Sequence, residues 1–298
     1  MSISEVLRRQ AVSEVLNVKG VAACFPIWKN SYQSIAGVQP TAKSLVDSLG
    51  KNLGPVFKTT GSQGRAQKDL SGGGAAWEGL ICWYLNLCLI GTRTVVVKKS
   101  VHLPSPVRDS LTLSYGATQT NTESDLVAVT FPDDPVLDSF NDSYRGIKKA
   151  ELDQYISDAM GQIEVCVIQC KTNWNDNAQI PMLWDLVYSA KGFTISGVSI
   201  GRHGHSIHTL RRFAYAFVTL PSNDLAKYGP SKMPVLRLSR LSGGNYWGFD
   251  RRPGVAGAVS DIFARNFSSS IQTLGKPWLN HLNQELKSLN TTYSYFQY

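Results

Sequence analysis

Four polar residues attract attention because each lies in or beside an apolar segment: Glu78, Asp125, Gln169 and Lys171. Glu78 is the only charged residue in residues 75–91, which are apolar almost all round. A lone carboxylate in such a helix is rarely left unpaired, and an amide or amine at the rim of an apolar sheet is costly without partners. If the four converge, their carboxylate and amide oxygens could bind a divalent cation.

The surrounding sequence predicts the elements that would bring these residues together. In residues 163–173, valine, isoleucine and cysteine fill both alternating positions, which is typical of a strand buried on both faces. Gln169 and Lys171 are two residues apart near its end, so their side chains should point to one face. Residues 124–131 predict a second short strand, which begins at Asp125, and residues 75–91 predict a buried helix.

In this order of helix, strand and strand, the residues resemble the PD-(D/E)XK nuclease superfamily, which includes most type II restriction endonucleases. The family signature is an aspartate on one strand and an acid-x-Lys on the next, often with a glutamate from the preceding helix. Asp125 matches the aspartate, and Glu78 matches the helix glutamate. Gln169 and Lys171 match the acid-x-Lys, with glutamine in place of the acid, a form that Mrr-like and transposon end-cleaving nucleases also carry.

The resemblance implies a Mg²⁺-dependent endonuclease that hydrolyses DNA phosphodiester bonds, with Mn²⁺ as an alternative ion. It implies Asp125, Gln169 and Glu78 as metal ligands and Lys171 as the group that orients or deprotonates the attacking water. A sequence-specific type II restriction endonuclease is the favoured interpretation. The alternatives are a partner-triggered defence or transposon-type nuclease, and a catalytically silent DNA-binding protein on the nuclease fold, which Gln169 makes credible.

The excess positive charge of the chain is concentrated in one stretch, residues 201–252. The net charge is +8, and residues 201–252 hold nine Lys and Arg against two Asp, a surplus of seven. A concentrated basic field favours a polyanionic partner, here double-stranded DNA, although a solvated basic surface is the plain alternative. The candidate DNA-binding residues are Arg65, Lys68, Arg202, His203, His205, Arg211, Arg237, Arg240, Asn245, Tyr246, Arg251 and Arg252.

Two of these groups allow other interpretations. The histidines of residues 201–208 could indicate zinc, but no Cys or acid stands beside them and the glycines favour a surface turn. Tyr246 and its neighbours could pack into the core as a hairpin. Cutting both strands of a duplex usually takes two active sites, so a homodimer is expected.

The composition favours a cytoplasmic protein. There is no apolar run of membrane-spanning length, and the first residues lack the apolar region of a signal peptide. The five cysteines are odd in number, lie mostly in apolar runs and include no Cys-x-x-Cys pair. This pattern predicts reduced, buried thiols rather than a disulfide framework.

The predicted fold class is α/β, with a mixed central sheet flanked by helices, a restriction endonuclease-like core and helical additions at both ends. The segments are an N-terminal helical segment (1–60), a nuclease core (61–220) with an insertion at 133–160, and a basic region with C-terminal helices (221–298), in one large domain overall. The predicted strands are residues 92–99, 124–131, 163–173, 193–200 and 212–220, with 111–115 continuing or pairing with the first. The predicted helices are residues 4–18, 41–53, 75–91, 149–160, 180–190 and 259–289, the last interrupted near Gly275 and Pro277.

Overall fold

The computed structural model of the protein describes residues 2–60, 70–121, 124–139, 147–174, 198–221, 245–246, 259, 261–267, 269, 271 and 277–298. The predicted helix at 180–190 and residues 193–197 of a predicted strand lie outside this part of the chain.

The described helices confirm most of the predicted ones, with shifted ends. They are α1 (Ile3–Asn17), α2 (Lys19–Ala36), a π-helical stretch (Ser44–Leu49) that continues as α3 (Gly50–Lys58), α4 (Leu70–Cys88), α5 (Ser105–Ser110), α6 (Ile147–Asp158), α7 (Asp261–Asn266) and α8 (Trp278–Glu285). The sequence analysis did not predict α2, where Gly20 and Pro26 are unfavourable for a helix. Its buried Val21, Trp28 and Tyr32 nevertheless follow helical spacing.

The strands form a five-stranded sheet and a three-stranded sheet. They are β1 (Thr94–Val97), β2 (Leu113–Tyr115), β3 (Thr118–Thr120), β4 (Leu126–Thr130), β5 (Glu164–Trp174), β6 (Val198–Ile200), β7 (Arg212–Pro221) and β8 (Asn245–Tyr246). The larger sheet has the order β1-β4-β5-β7-β8. Its first three strands are antiparallel neighbours, whereas β7 runs parallel to β5 and β8 parallel to β7. The sheet is therefore mixed, as predicted.

The larger sheet is covered on both faces, which explains the continuous apolar sequence of β5. Cys166, Ile168 and Cys170 lie in one hydrophobic cluster with the side chains of α4. Val165 and Val167 alternate with them and lie in a second cluster with residues from α1, α5 and α6. Because side chains of a strand point alternately to opposite faces, a strand between two cores must be apolar at every position.

Two predictions about the segment after β1 are wrong. Residues 111–115 do not extend or pair with β1; β2 instead joins β3 and β6 in the smaller sheet, which also takes residues 198–200 away from the larger one. The segment around Pro104 and Pro106, predicted as loop, contains α5. Proline is tolerated there because the first turn of a helix leaves its backbone N–H groups without partners inside the helix.

Both ends of the chain pack onto α4. The Trp83 indole donates a hydrogen bond to the Phe296 carbonyl at 3.0 Å, and the rings of Trp83 and Tyr298 are stacked. Residues from α1, α2 and the C-terminus share one hydrophobic cluster with α4 and the larger sheet.

The predicted division into segments stays a prediction. No helix within the described ranges is long and apolar enough to cross a membrane, and all five cysteines are free and buried.

Arg8 is a buried cation that connects α1 to the start of β1. Its guanidinium is fully buried and donates hydrogen bonds to the carbonyls of Thr92 (3.0 Å) and Thr94 (2.7 Å). It also forms an ion pair with Glu5 one turn earlier on α1. Removing one partner of a buried ionic network leaves the others unsatisfied, so this connection should be sensitive to substitution.

We expect Arg8→Leu to lower the free energy of unfolding by about 3 kcal/mol, because two buried carbonyls and Glu5 lose their partner. Urea denaturation at pH 7 measures this. Arg9→Leu is the matched control, since Arg9 is exposed and its guanidinium lies 5.6 Å from the Tyr295 ring centroid; it should cost about 1 kcal/mol or less. Equal losses in the two variants would contradict the role given to Arg8.

Candidate functional site

Asp125 lies at the point where β4 begins and its pairing with β5 ends. The register pairs Leu126 with Ile168. Just beyond this pair, the Asp125 carboxylate accepts a hydrogen bond of 2.7 Å from the backbone N–H of Cys170. The side chain therefore supplies an acceptor to β5 at the position where the backbone ladder stops. This contact fixes a carboxylate at the end of two buried strands.

Glu78 forms an ion pair with Lys98, the residue that follows β1. Both side chains are 19% exposed, so the pair is mostly withdrawn from water. Val96 packs on the α4 side of the sheet, and alternation places Lys98 on that side as well. The prediction that Glu78 has a partner is confirmed. Lys98 was not predicted as this partner: alternation along β1 gives the face of its side chain, but not that this face meets α4.

The pKa of the Asp125 carboxyl is influenced by its burial and by the charges around it. The pKa of the Asp125 carboxyl is raised to about 6, mainly by burial and to a smaller extent by the charge of the Glu78 carboxylate. The hydrogen bond from Cys170 and the charges of Lys171 and Lys98 act in the opposite direction. The structure therefore brings Glu78, Asp125 and Lys171 into one electrostatic neighbourhood and adds Lys98 to it.

Lys171 follows Cys170 on β5, and the strand holds its backbone in place. Its carbonyl accepts a hydrogen bond of 3.0 Å from the Thr219 hydroxyl on β7. The pairing of β5 with β7 becomes irregular between Lys171 and Trp174, so Lys171 is the last residue of the regular ladder. Within the described part of the chain, no hydrogen bond or ion pair engages its ammonium group.

Gln169 makes its hydrogen bond to the neighbouring strand β7. Its side-chain carbonyl accepts a hydrogen bond of 2.8 Å from the Tyr215 hydroxyl, and the residue is 9% exposed. Alternation along β5 puts Gln169, and Lys171 two residues later, on the same face as Val167, opposite the face that packs on α4. Its role as a metal ligand stays a prediction, and the position of this side chain does not support it.

Asp125 and Glu78 are the groups at this site that fit a Mg²⁺ ion. Magnesium takes oxygen ligands and usually keeps several waters, so one or two carboxylates suffice. The Asp125 carboxyl, whose pKa is raised mainly by burial, and the Glu78 carboxylate, which acts on it electrostatically, would supply the oxygen ligands, although Lys98 already pairs with Glu78. Among the described residues, no group of three or more His, Cys, Asp and Glu side chains gathers as a metal site.

The predicted DNA-binding residues that the structure describes are held by acids or hydroxyls of the protein. Asp109 receives hydrogen bonds from Arg202 (2.7 Å) and His203 (2.8 Å). Burial alone would raise the pKa of Asp109, but these two hydrogen bonds outweigh it and hold the pKa below the usual range. The result is an anchor for residues 201–208 on α5, with the His203 ring still 71% exposed.

For the other predicted DNA-binding residues the structure gives a single contact, the backbone alone, or no description. His205 lies 3.4 Å from the Ser157 hydroxyl, and Arg211 is 3.5 Å from the buried Glu164. For Asn245 and Tyr246 only the backbone is described, as β8. The remaining predicted residues lie outside the described part of the chain: Arg65, Lys68, Arg237, Arg240, Arg251 and Arg252. Contact of any of these residues with DNA stays a prediction.

Comparison with known proteins assigns no family. No protein-family model matches the chain, and no curated protein matches it. The functional interpretation therefore depends on the residues and their geometry.

We expect Asp125→Asn to stabilise the protein at pH 8. The pKa of Asp125 rises from 3.8 to about 6 on folding, so the ionised carboxyl destabilises the fold above pH 6 and this cost disappears below pH 4. The variant should gain about 2 kcal/mol at pH 8 and nothing at pH 4. Chemical denaturation at the two pH values measures the difference.

Asp109→Asn is the control with the opposite sign. The pKa of Asp109 is lowered below 3.8, so its ionised form stabilises the fold at pH 8 and still at pH 4, and this contribution is lost only as the pH falls through the lowered pKa; the variant should therefore lose stability at both pH values. If Asp125→Asn also lost stability at pH 8, the electrostatic account of Asp125 would be wrong.

Proposed function

We propose that the protein is a Mg²⁺-dependent endonuclease that hydrolyses phosphodiester bonds of double-stranded DNA. The observation that carries the proposal is that the charges of Glu78, from one helix, and of Lys171, from the strand adjacent to Asp125, both act on the Asp125 carboxyl. Two carboxylates and an amine at the end of a buried sheet are the groups that metal-assisted phosphoryl transfer requires. A carboxyl whose pKa is raised by burial, at the end of a sheet, is typical of functional sites, although buried structural acids share it.

The order of elements supports the same proposal. The PD-(D/E)XK core is a helix followed by three strands, a helix and a fourth strand. Here α4 precedes the antiparallel strands β1, β4 and β5, and β7 then returns parallel to β5. A parallel return requires a crossover connection, and residues 175–197, where a helix is predicted at 180–190, are long enough to supply one.

The chemistry divides between the acids and the lysine. Mg²⁺ held by Asp125 and Glu78 would polarise the phosphate and lower the pKa of a bound water. Lys171 is the last residue of the regular β5–β7 ladder, and there its ammonium would orient that water and offset negative charge developing on the phosphate. The Cys170 N–H fixes the Asp125 carboxylate, so the acid is positioned before substrate binds.

Sequence-specific cleavage of the type II restriction class remains our favoured form of this function, acting as a homodimer. The position of Gln169 favours one alternative, a DNA-binding protein that keeps the nuclease fold without cutting. Its carbonyl accepts a hydrogen bond from Tyr215 and would have to share or give up that contact to bind a metal. A partner-triggered defence or transposon-type nuclease is the other alternative.

We expect the purified protein to cut plasmid and phage DNA into discrete fragments when Mg²⁺ is present and to leave it intact in EDTA. Lys171→Ala should reduce the cleavage rate by about 10²-fold or more, because charge on the phosphate is no longer offset. Lys43→Ala, which removes an exposed lysine near the start of the π-helical stretch, is the matched control and should cut like the wild type. Gel electrophoresis of timed digests measures the rates.

Other outcomes of these digests separate the alternatives. Smears or nicks that still require Mg²⁺ and Lys171 would keep the nuclease but remove sequence specificity. Intact DNA, with the same mobility shift for wild type and Lys171→Ala, would reject hydrolysis and leave the DNA-binding protein.

A further inference from the structure

The Glu78 carboxylate, one of two proposed metal ligands, already has a cation of the protein beside it. Lys98 reaches it from the end of β1, and both side chains are 19% exposed, so water screens the pair only in part. Lys98 also acts on the Asp125 carboxyl through its charge. The Lys98 ammonium therefore stabilises the ionised form of both acids that would hold the ion: it pairs with Glu78 and lowers the pKa of Asp125.

The charges at the site balance without a metal. Glu78 and Asp125 carry two negative charges at pH 8, and Lys98 and Lys171 carry two positive charges. A divalent cation would bring the net charge to +2, in a place where the protein limits the access of water. Like charges in a partly buried site repel strongly, so the ion and the Lys98 ammonium cannot both remain close to Glu78 without cost.

We propose that Lys98 is an internal counter-ion that competes with the divalent cation for Glu78 and thereby weakens metal binding in the DNA-free protein. The proposal rests on the proposed function, since it assigns a regulatory role at the same site. For the ion to bind, Lys98 must leave Glu78. A DNA phosphate at the site would offer the displaced ammonium another anion, so metal and DNA should favour each other's binding.

An ordinary structural ion pair is the competing explanation, and it makes a different prediction. If the pair only holds α4 against β1, then Lys98→Met and Glu78→Gln should both lower stability, and neither should improve metal binding. If Lys98 competes with the ion, Lys98→Met should bind the metal more tightly, whereas Glu78→Gln should bind it less tightly. Metal affinity separates the two explanations where stability does not.

The experiment is a Mn²⁺ titration of the DNA-free protein at pH 8, with free Mn²⁺ followed by electron paramagnetic resonance. We expect Lys98→Met to lower the dissociation constant by about threefold to tenfold, the range of a partly screened ion pair. Lys98→Arg keeps the charge, so it should bind Mn²⁺ more weakly than Lys98→Met, with a dissociation constant close to that of the wild type. Lys99→Met removes a charge from the next residue, which is 3.5 Å from Glu14, and should match the wild type. Thermal melting shows that each variant is folded.

The outcomes distinguish this inference from the proposed function. If the wild type and a folded Lys98→Met bind Mn²⁺ equally, or the variant binds it less well, the competition is rejected while the metal site stands. If no variant binds Mn²⁺, the competition and the proposed metal site are both rejected. If Lys98→Met binds Mn²⁺ and the wild type does not, the result supports competition in its strongest form.

Discussion

The hydrogen bond from the Cys170 backbone to the Asp125 carboxylate is the contact on which the candidate site depends. It joins the ends of β4 and β5 where their regular pairing stops, and it fixes one acid without using a side chain of β5. The next residue, Lys171, is held through its own carbonyl by Thr219. The Asp125 carboxylate and the Lys171 backbone are thus both fixed by hydrogen bonds at the sheet, which fixes the point from which the Lys171 side chain extends.

The burial of the larger sheet explains why the polar groups gather at this place. Both faces of β5 are covered, so a charge along most of its length would be buried without water. Near the end of β5 and at the start of β4 the apolar cover is incomplete, since Lys171 and Asp125 are only partly buried. Glu78 approaches from α4 and carries its own partner, Lys98. The site is therefore a boundary between core and solvent, where a raised pKa can coexist with access for an ion and a substrate.

The sequence predicted what depends on local pattern and missed what depends on distant packing. The apolar run of β5 and the buried helix α4 follow from alternation and from helical spacing, and the electrostatic influence of Glu78 and Lys171 on Asp125 accords with the predicted order of elements. The hydrogen bond of the Gln169 side chain could not be predicted in this way, because its donor is the Tyr215 hydroxyl on β7, 46 residues later. Lys98 was missed for the same reason: alternation gives its face, but only the packing of α4 decides which face meets Glu78.

The most direct test of the metal site is anomalous X-ray diffraction from crystals soaked in Mn²⁺. The account predicts a peak at about 2.1 Å from the Asp125 and Glu78 carboxylates, with Lys98 displaced from Glu78 and Gln169 still bonded to Tyr215. A map without a peak at this place, in which Lys98 still holds Glu78 although Mn²⁺ is in excess, would contradict it.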